Sequence, residues 1–403
     1  MNIELEAIRE AAKRLEGVIH RTQLDRSSTF SKMTGGDIYL KCENCQKTGS
    51  FKLRGASNKV ACLVERGEAK AVVASSAGNH AQGVAFAATS FGIKSTIVMP
   101  KTAPIVKVQA TRGYGAEVVL AGDCYDDAYA EARRICDEQG AVFLHPYNDP
   151  EVIAGQGTIA LEILEELPDA DIIITPAGGG GLLAGVAAAA KQMNPDVKVY
   201  GVQAEGADAI ARSFEAKKLI TTDSAATIAD GIAVKAPGDI SVDIINRYAD
   251  GIIRVTDSEI AEAILLLMER CKQIVEPAGA TPVAAVLSGR LDVKDKKVVC
   301  LLSGGNIDVS FIQSLIERGL FVRHRRMKFT VTLLDRPGSL ARLMSVIADC
   351  GANILAVEHD RLRAGINPNE TTVHIACEVG DENHGKTLLS ELQLHGYRVA
   401  SDE

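Results

Sequence analysis

A single lysine in a loop flanked by glycine and serine is the residue of this sequence that most directly suggests chemistry. Lys52 lies within residues 48–56 (TGSFKLRGA), directly after an aromatic residue. A lysine ε-amine forms Schiff bases with carbonyl groups, and it becomes nucleophilic where burial or a neighbouring cation lowers its pKa. Most loop lysines are only solvated, so this interpretation needs supporting groups elsewhere in the chain.

Three further segments, each directly after a predicted strand, could supply those groups. Residues 75–83 (SSAGNHAQG) open a predicted helix, where backbone N–H groups can hold a carboxylate. Residues 176–184 (PAGGGGLLA) place four glycines before an alanine-rich helix, an arrangement that can cradle a phosphate. Residues 302–306 (LSGGN) place Ser303 at the end of a strand where α/β sheets bind ligands. Taken alone, each segment could be only a tight turn or a capped helix start.

The four-glycine segment leaves two classes of nucleotide-binding protein to consider. It lacks the Gly-Lys-Ser/Thr ending of a P-loop, which disfavours nucleoside triphosphate hydrolysis. It does fit a GxGxxA pattern at Gly179, Gly181 and Ala184, with Gln203 and Glu205 about where a ribose-binding acid would lie. An NAD-dependent dehydrogenase is therefore an alternative, but it explains only this segment. A phosphate cradle, a Schiff-base lysine, a carboxylate cradle and a hydroxyl for a ring nitrogen together describe pyridoxal phosphate holding an amino acid.

Alternating strand and helix patterns from about residue 38 to residue 302 are expected to position these segments. Strands are predicted at residues 71–75, 95–99, 116–120, 171–175, 198–202, 251–255 and 297–302. A helix is predicted over Leu182–Met193 on propensity. This order indicates doubly wound parallel sheets in two α/β lobes, with a smaller lobe of roughly residues 50–150 inserted in the larger one.

The C-terminal part of the chain reads as a separate α+β unit. Residues 1–320 form the predicted catalytic domain, residues 321–328 a basic linker, and residues 329–403 a βαββαβ ferredoxin-like domain. Its strands are predicted at 329–334, 353–361, 370–379 and 397–400, and its helices at 339–350 and 384–395. Ser339 is the expected N-cap of the first helix, and Gly351 is expected to end it.

Composition excludes several other classes of function. The net charge is −8, aromatic residues make up 4% and no tryptophan occurs, so we expect no nucleic-acid or membrane partner. The start has no cleavable signal pattern, and no run of 18 apolar residues predicts a membrane span. Nine scattered cysteines indicate reduced thiols in a cytoplasmic protein, and the single Cys42–Cys45 pair lacks the further ligands of a zinc site.

The ordered motifs make the chain resemble the fold-type II pyridoxal-phosphate enzymes, and most closely the threonine dehydratases (threonine ammonia-lyases). The matching motifs are Glu43-Asn44, residues 48–56, residues 75–83, the tetraglycine and residues 303–306. The C-terminal unit is similar to ACT regulatory domains. The resemblance implies a lyase that converts threonine to 2-oxobutanoate and ammonia, and serine to pyruvate. It also implies a dimer or tetramer that serves isoleucine biosynthesis or threonine catabolism.

The resemblance further assigns roles around pyridoxal 5'-phosphate. Lys52 carries the cofactor as a Schiff base and removes the substrate α-proton, and Glu276 is an acidic residue near the ring. The remaining cofactor-binding residues are Phe51 beside the ring, Asn79 at the ring 3-oxygen, Gly178, Gly179, Gly180, Gly181 and Leu182 at the phosphate, and Ser303 at the pyridine nitrogen. The residues that line the substrate carboxylate pocket are Ser75, Ser76, Ala77, Gly78 and His80.

Regulation is expected at the first strand–helix turn of the ACT-like unit. The residues of that turn are Asp335, Arg336, Pro337, Gly338, Ser339 and Leu340. Its backbone groups could bind an amino acid, with isoleucine and valine as candidates. An oligomerisation module without a ligand is the alternative.

Two residues distinguish elimination from other reactions of this family. Ser303 is neutral, and a neutral partner for the pyridine weakens the electron sink, which favours fast elimination. Ala77 stands where serine racemases carry a serine that reprotonates the opposite face, so racemisation is disfavoured. Residues 203–209 lack the acidic pattern of the racemase metal site, and we expect no divalent metal there, although Glu205 or Asp208 could serve a cation.

Overall fold

The computed structural model describes residues 3–361 and 367–401 of the chain. These residues divide into two compact units, Met1–Ile307 and Asp308–Glu403. Each unit is described by itself.

The first unit contains a large sheet of six strands in the order β1-β2-β10-β7-β8-β9. All neighbouring pairs are parallel except β1 and β2. The strands are β1 Leu24–Arg26, β2 Asp37–Lys41, β7 Ile172–Pro176, β8 Lys198–Ala204, β9 Gly251–Val255 and β10 Lys297–Leu301. Strand β7 is buried along its whole length, as expected for a central parallel strand covered on both faces.

A second, wholly parallel sheet of four strands has the order β5-β4-β3-β6. Its strands are β3 Ala71–Ser75, β4 Lys94–Met99, β5 Glu117–Leu120 and β6 Val142–Phe143. Two sheets in the first unit confirm the predicted α/β fold, and all seven strands predicted in this part of the chain are present within two residues of their expected ends. Strands β1, β2 and β6 were not predicted.

Twelve α-helices among the described residues of the first unit cover these sheets. They are α1 Leu5–Leu15, α2 Ser28–Thr34, α3 Lys52–Glu65, α4 Asn79–Ser90, α5 Ile105–Gly113, α6 Tyr125–Gln139, α7 Pro150–Glu166, α8 Gly181–Met193, α9 Ala209–Ala216, α10 Asp239–Tyr248, α11 Asp257–Leu266 and α12 Pro277–Leu287. Helices α7 and α8 form the largest part of the core. They approach closely through glycine: a Cβ on Gly157 would lie 2.9 Å from the Gly185 carbonyl oxygen, and one on Gly185 would lie 2.7 Å from the Gly157 nitrogen. The four alanines Ala187–Ala190 are fully buried.

The second unit contains an antiparallel sheet of four strands in the order β12-β13-β11-β14. Its elements are α13 Val309–Val322, β11 Arg326–Leu334, α14 Ser339–Asp349, β12 Asn353–Asp360, β13 Glu370–Glu378, α15 Glu382–Leu394 and β14 Arg398–Ser401. From β11 onward this is the predicted βαββαβ order. The predicted N-cap was wrong: Gly338 caps α14 with φ 86°, and Ser339 is the first helical residue.

The segment predicted as a linker contains the end of α13, a turn and the first residues of β11. Within the described part of the chain, no helix is both long and apolar enough to cross a bilayer.

Candidate active site

Residues 46–51, here called the lysine loop, are paired with the turn that follows β10, whereas Lys52 itself, predicted in the loop, is the first residue of α3. The Phe51 N–H donates to the Ser303 carbonyl oxygen at 3.0 Å, and the Gly305 N–H donates to the Gly49 carbonyl oxygen at 2.9 Å. Gly49 has φ +72°, a conformation that favours glycine. Two of the predicted segments therefore lie side by side at the carboxyl end of β10, where parallel sheets place their ligands.

Lys52 begins α3 and points its amine at a backbone carbonyl. Its Nζ donates to the Pro146 oxygen at 2.8 Å, and it lies 5.3 Å from the centroid of the Phe51 ring. Burial lowers the pKa of Lys52 to about 8, against the opposing effect of the Glu276 charge. About a tenth of this amine is therefore neutral, and nucleophilic, at pH 7, far more than of an ordinary lysine.

Asn79, the first residue of α4, is held by hydrogen bonds on both sides of its amide. Its Nδ2 donates to both carboxylate oxygens of Glu276, at 2.8 and 3.0 Å. Its Oδ1 accepts a hydrogen bond from Asn306 Nδ2 at 2.7 Å. Asn306 Nδ2 also donates to the Thr48 carbonyl oxygen at 2.9 Å, which links the asparagine to the lysine loop.

Glu276 precedes α12 and is only 5% exposed. Burial raises the pKa of Glu276 to about 7, although the Asn79 hydrogen bonds lower it. A Cβ on Gly304 would lie 2.5 Å from Glu276 Oε1, so the turn after β10 requires glycine where the carboxylate packs. The predicted acid therefore lies beside both the asparagine and the turn that contains Ser303.

The four glycines after β7 form a cradle whose close contacts leave no room for a side chain. A Cβ on Gly178 would lie 2.9 Å from Ile232 Cα, and one on Gly181 would lie 2.7 Å from the Tyr147 carbonyl oxygen. The N–H groups of the first three glycines make no hydrogen bond to any described residue. Gly181 and Leu182 lie in the first turn of α8, whose N–H groups have no acceptor within the helix. This row of unpaired donors at a helix N-terminus fits a phosphate group.

The loop between β3 and α4 contributes polar groups at the carboxyl end of the second sheet. Ser75 Oγ is buried and has no hydrogen-bond partner among the described residues. Ser76 Oγ accepts a hydrogen bond from the Gly78 N–H at 3.2 Å, and a Cβ on Gly78 would meet nothing within 4 Å. Ala77 is half-buried against the core of this lobe. The loop can therefore present backbone donors and one free hydroxyl to a small anion.

His80 follows in the first turn of α4 and is neutral. Its Nε2 lies 3.0 Å from the Leu144 carbonyl oxygen, so Nε2 carries the proton. Burial and the charge of Lys52 lower the pKa of His80 to about 3. The ring thus supplies a fixed neutral group next to the loop between β3 and α4.

Residues 144–149, between β6 and α7, belong to the site and were missed from the sequence. The Tyr147 hydroxyl donates to the Ala236 carbonyl oxygen at 2.9 Å, and the Tyr147 carbonyl accepts from Ser241 Oγ at 3.1 Å. Burial and the charge of Lys52 lower the pKa of His145 to about 4. This segment joins the lysine, through Pro146, to the glycine cradle, through Tyr147. It carries no glycine turn or periodic pattern that would have signalled it.

A buried ion network behind Lys52 was also missed. Arg54 Nη2 pairs with Glu43 Oε1 at 2.7 Å, and Arg54 Nη1 pairs with Glu162 Oε1 at 2.6 Å. Lys41 Nζ pairs with Glu162 Oε2 at 2.7 Å. Burial would raise the pKa of Glu43, but the charge and hydrogen bonds of Arg54 outweigh it and hold the pKa below its usual value. The network ties α3 to β2 and α7. Glu43 and Arg54 had been noted only as motif residues.

The acids considered for a cation are paired with arginines. Asp208 pairs with Arg212 at 2.7 Å and with Arg254 at 3.1 Å, and Glu205 lies 3.5 Å from Arg290. Over residues 3–361 and 367–401, no group of three or more His, Cys, Asp or Glu side chains could hold a metal ion.

The predicted regulatory turn lines a cavity of about 350 Å³ in the second unit. Asp335 pairs there with Arg361 at 2.9 Å. The cavity is lined by Leu333, Leu334, Asp335, Arg336, Pro337, Gly338, Ser339, Leu340, His359, Arg361 and Thr371.

Comparisons of sequence and of structure with known proteins agree on one enzyme family. A family model described as "Pyridoxal-phosphate dependent enzyme" matches residues 15–304. The L-threonine ammonia-lyase of Thermotoga maritima is 49% identical over 397 residues, which is 98% of this chain and 99% of that protein. The solved structure of T.th. threonine deaminase has a TM-score of 0.72 and 41% identity, and covers 76% of this chain and 99% of that chain. Maize serine racemase has a TM-score of 0.75 and 38% identity, and covers 80% of this chain and 100% of that chain.

Proposed function

This chain belongs to the pyridoxal-phosphate dependent enzymes, and from that premise we propose that it is a lyase that deaminates L-threonine to 2-oxobutanoate and ammonia, and L-serine to pyruvate and ammonia. The Thermotoga maritima and T.th. relatives, named for threonine deamination, support this substrate. Family membership accounts for the Gly179–Ala184 turn without a nicotinamide cofactor, so the dehydrogenase alternative is set aside.

The observation that carries the proposal is the buried Lys52 amine on the Pro146 carbonyl oxygen, next in the chain to Tyr147, which packs against the glycines with unpaired N–H groups. Pyridoxal 5'-phosphate fits these residues. Lys52 would hold its aldehyde, and the N–H groups of residues 178–182 would hold its phosphate. Asn79 would donate to the ring 3-oxygen, Ser303 would face the ring nitrogen, and Phe51 would pack beside the ring. When bound, the cofactor supplies an electron sink for the amino-acid α-carbon.

The protein's own groups would then bind the amino acid and move its protons. The backbone donors of residues 75–80 and the free Ser75 hydroxyl would bind the substrate carboxylate. Neutral Lys52 Nζ would accept the α-proton. Loss of that proton and of the β-hydroxyl forms a carbon–carbon double bond, and the proton taken up by Lys52 Nζ balances the one that the hydroxyl needs to leave as water. Water then hydrolyses the released enamine to the 2-oxo acid and ammonia.

Racemisation is the second candidate, because the maize structure is a serine racemase. Ala77 argues against it, since a methyl group cannot return a proton to the opposite face of the substrate. Analysis of serine recovered from a reaction on a chiral column would separate the two reactions. Elimination predicts pyruvate with little D-serine.

The test is 2-oxo acid production from threonine and serine by the purified protein. We expect a coloured protein that forms 2-oxobutanoate and is bleached by borohydride, with the reduced cofactor attached to Lys52. Lys52→Ala should abolish turnover, whereas Lys47→Ala, in the same loop, should retain it, because the Lys47 amine contacts the Gly17 and Val18 carbonyl oxygens and the Phe86 ring and no residue of the candidate site. A colourless protein that forms no 2-oxo acid would refute the proposal.

We further propose that the second unit binds a branched-chain amino acid, isoleucine or valine, in the cavity lined by residues 335–340. The cavity size and the exposed turn support binding of a small zwitterion. The effector must bind the active and less active states unequally.

We also propose that the protein is a homodimer or homotetramer that serves isoleucine biosynthesis or threonine catabolism. A cytoplasmic location is also part of this proposal, argued from nine cysteines, all within the described residues, that form no disulfide.

A further inference from the structure

Asn306 lies between the lysine loop and Asn79 and makes hydrogen bonds to both. Its Nδ2 has two hydrogens and two acceptors, the Thr48 carbonyl oxygen at 2.9 Å and Asn79 Oδ1 at 2.7 Å. Gly49 packs so closely that a Cβ there would lie 2.5 Å from Asn306 Oδ1. The side chain is therefore held from two sides.

The Thr48 carbonyl gives this chain of amides a direction. A backbone carbonyl oxygen only accepts hydrogen bonds, so the atom of Asn306 that faces it must be the donor Nδ2. The same Nδ2 faces Asn79, which must then present Oδ1 as the acceptor. Asn79 Nδ2 is left to point the other way, toward Glu276 and the site.

We propose that Asn306 is a positioning residue that fixes the amide of Asn79 with its donor directed into the cofactor site. This inference rests on the proposed function, because the donor matters only if a cofactor receives it. Asn306 itself touches neither substrate nor cofactor in this proposal and acts through Asn79.

Glu276 alone would not fix the same orientation. As a carboxylate it accepts from Asn79 Nδ2, but as a carboxylic acid it can also donate, and then either end of the amide could face it. Burial raises the pKa of Glu276 to about 7, so both forms are populated near neutral pH. The Thr48 carbonyl oxygen, in contrast, accepts a hydrogen bond at every pH. The orientation that it imposes on the amides of Asn306 and Asn79 is therefore independent of pH.

The test uses Asn306→Asp, which keeps the shape of the side chain and replaces the donor with an acceptor. Asn79 should then turn its Nδ2 toward the new carboxylate and its Oδ1 toward the site. We expect the apoprotein to bind pyridoxal phosphate about tenfold more weakly, as for loss of one hydrogen bond to a charged group. The absorbance of the bound cofactor should shift toward the form with a protonated ring oxygen. Asn44→Asp is the matched control, because the Asn44 side chain donates only to Gln273 and Ile274 and makes no hydrogen bond to Asn79.

A double-mutant cycle separates positioning from a general effect of the new charge. In an Asn79→Ala background, Asn306→Asp should change cofactor affinity and absorbance no further, because the group it acts through is gone. Equal effects in both backgrounds would overturn the inference, as would a variant that matches wild type in both readouts. Thermal unfolding of each apoprotein identifies any variant that fails to fold. Asn306→Ala adds no charge, and its effect on cofactor affinity and absorbance should likewise disappear in the Asn79→Ala background. Failure of wild type to bind pyridoxal phosphate would instead refute the proposed function.

Discussion

Two opposing influences act on the Lys52 amine. Burial favours its neutral form, while the nearby Glu276 carboxylate favours the ammonium, and burial dominates. The resulting pKa of about 8 is below the usual 10.5 of a lysine. The lysine is therefore prepared for reaction by the protein before any ligand arrives.

The rate at which the apoprotein takes up pyridoxal phosphate should depend on pH in a way that reports this pKa. Only the neutral amine attacks an aldehyde, so the rate should rise about tenfold per pH unit below the pKa of Lys52 and level off above it. Stopped-flow absorbance measures the uptake, and Lys52→Ala should remove it. The usual pKa of a lysine is about 10. A rate that continued to rise up to about pH 10 would therefore show that the pKa of Lys52 is not lowered.

Ala77 is the residue at which a substitution could introduce racemisation of the substrate. Ala77→Ser adds a hydroxyl in the half-buried loop that precedes α4, where it can return a proton to the substrate. D-serine should then form at a rate at least about tenfold above the wild-type background, for a proton donor of this kind. Chiral chromatography measures the product, and Ala69→Ser in the same lobe is the control. If both variants form equal amounts of D-serine, position 77 does not select the reaction.

At the scale of elements, α3 positions Lys52 and is itself fixed by the Arg54 network. Arg54 and Glu43 are both fully buried, so their charges have no access to water. A buried ion pair adds little by itself, but removing one partner leaves an uncompensated charge. The network therefore constrains where α3 begins.

Arg54→Met should destabilise the fold strongly. Loss of the guanidinium leaves Glu43 buried without its main partner, at a cost of about 3 to 5 kcal/mol in the free energy of unfolding. Urea unfolding of the apoprotein measures the change. Arg134→Met removes surface ion pairs with Glu131 and Glu138 and should change stability little. Similar midpoints for the two variants would contradict this role of the network.

Elements of the fold differed in how well the sequence predicted them, for physical reasons. Strands β3 and β9 were predicted with the ends observed, because each is a short, largely apolar run bounded by turn residues, although only β3 is mostly buried. Strand β6 has only two residues, too few to show a period. The cap of α14 was misassigned because serine is a common N-cap, whereas the turn needs the positive φ of Gly338.

The candidate site was predictable where residue type carries the information. Glycine turns after strands signalled the cradle and the turn with Ser303, and their order in the chain suggested that they meet. Pro146 contributes a backbone carbonyl, which every residue has, so its contact with Lys52 leaves no trace in the sequence. The pairing of Arg54 with Glu162 joins positions 108 residues apart, and no local pattern encodes it.

At the scale of the whole molecule, the chain combines an α/β unit that carries the candidate active site with an antiparallel unit that carries a second cavity. All the residues of the candidate active site lie in the first unit, Met1–Ile307. We therefore propose a role for the second unit other than the reaction itself.

Asp335→Ala should reduce the response to isoleucine or valine. The substitution removes the ion pair with Arg361 at the rim of the cavity, so an effector that binds there should act only at higher concentration. Initial rates of 2-oxobutanoate formation across an effector titration measure the shift. Asp349→Ala, at the exposed end of α14, should respond like wild type. An unchanged response in Asp335→Ala would place the effector elsewhere.

The close contact of α7 and α8 has a consequence for mutational tolerance. Gly157 and Gly185 set the spacing of these helices, and α7 also carries Glu162 and packs Gly155 against the Arg54 carbonyl, where a Cβ would lie 2.7 Å away. A methyl group at Gly157 or Gly185 would push α7 outward and shift the start of α3 with it. Screens for inactive variants should therefore recover substitutions at these glycines, although neither residue belongs to the candidate site. The loss of activity in such variants would arise from a change in the distance between the two helices and not from the loss of a catalytic contact.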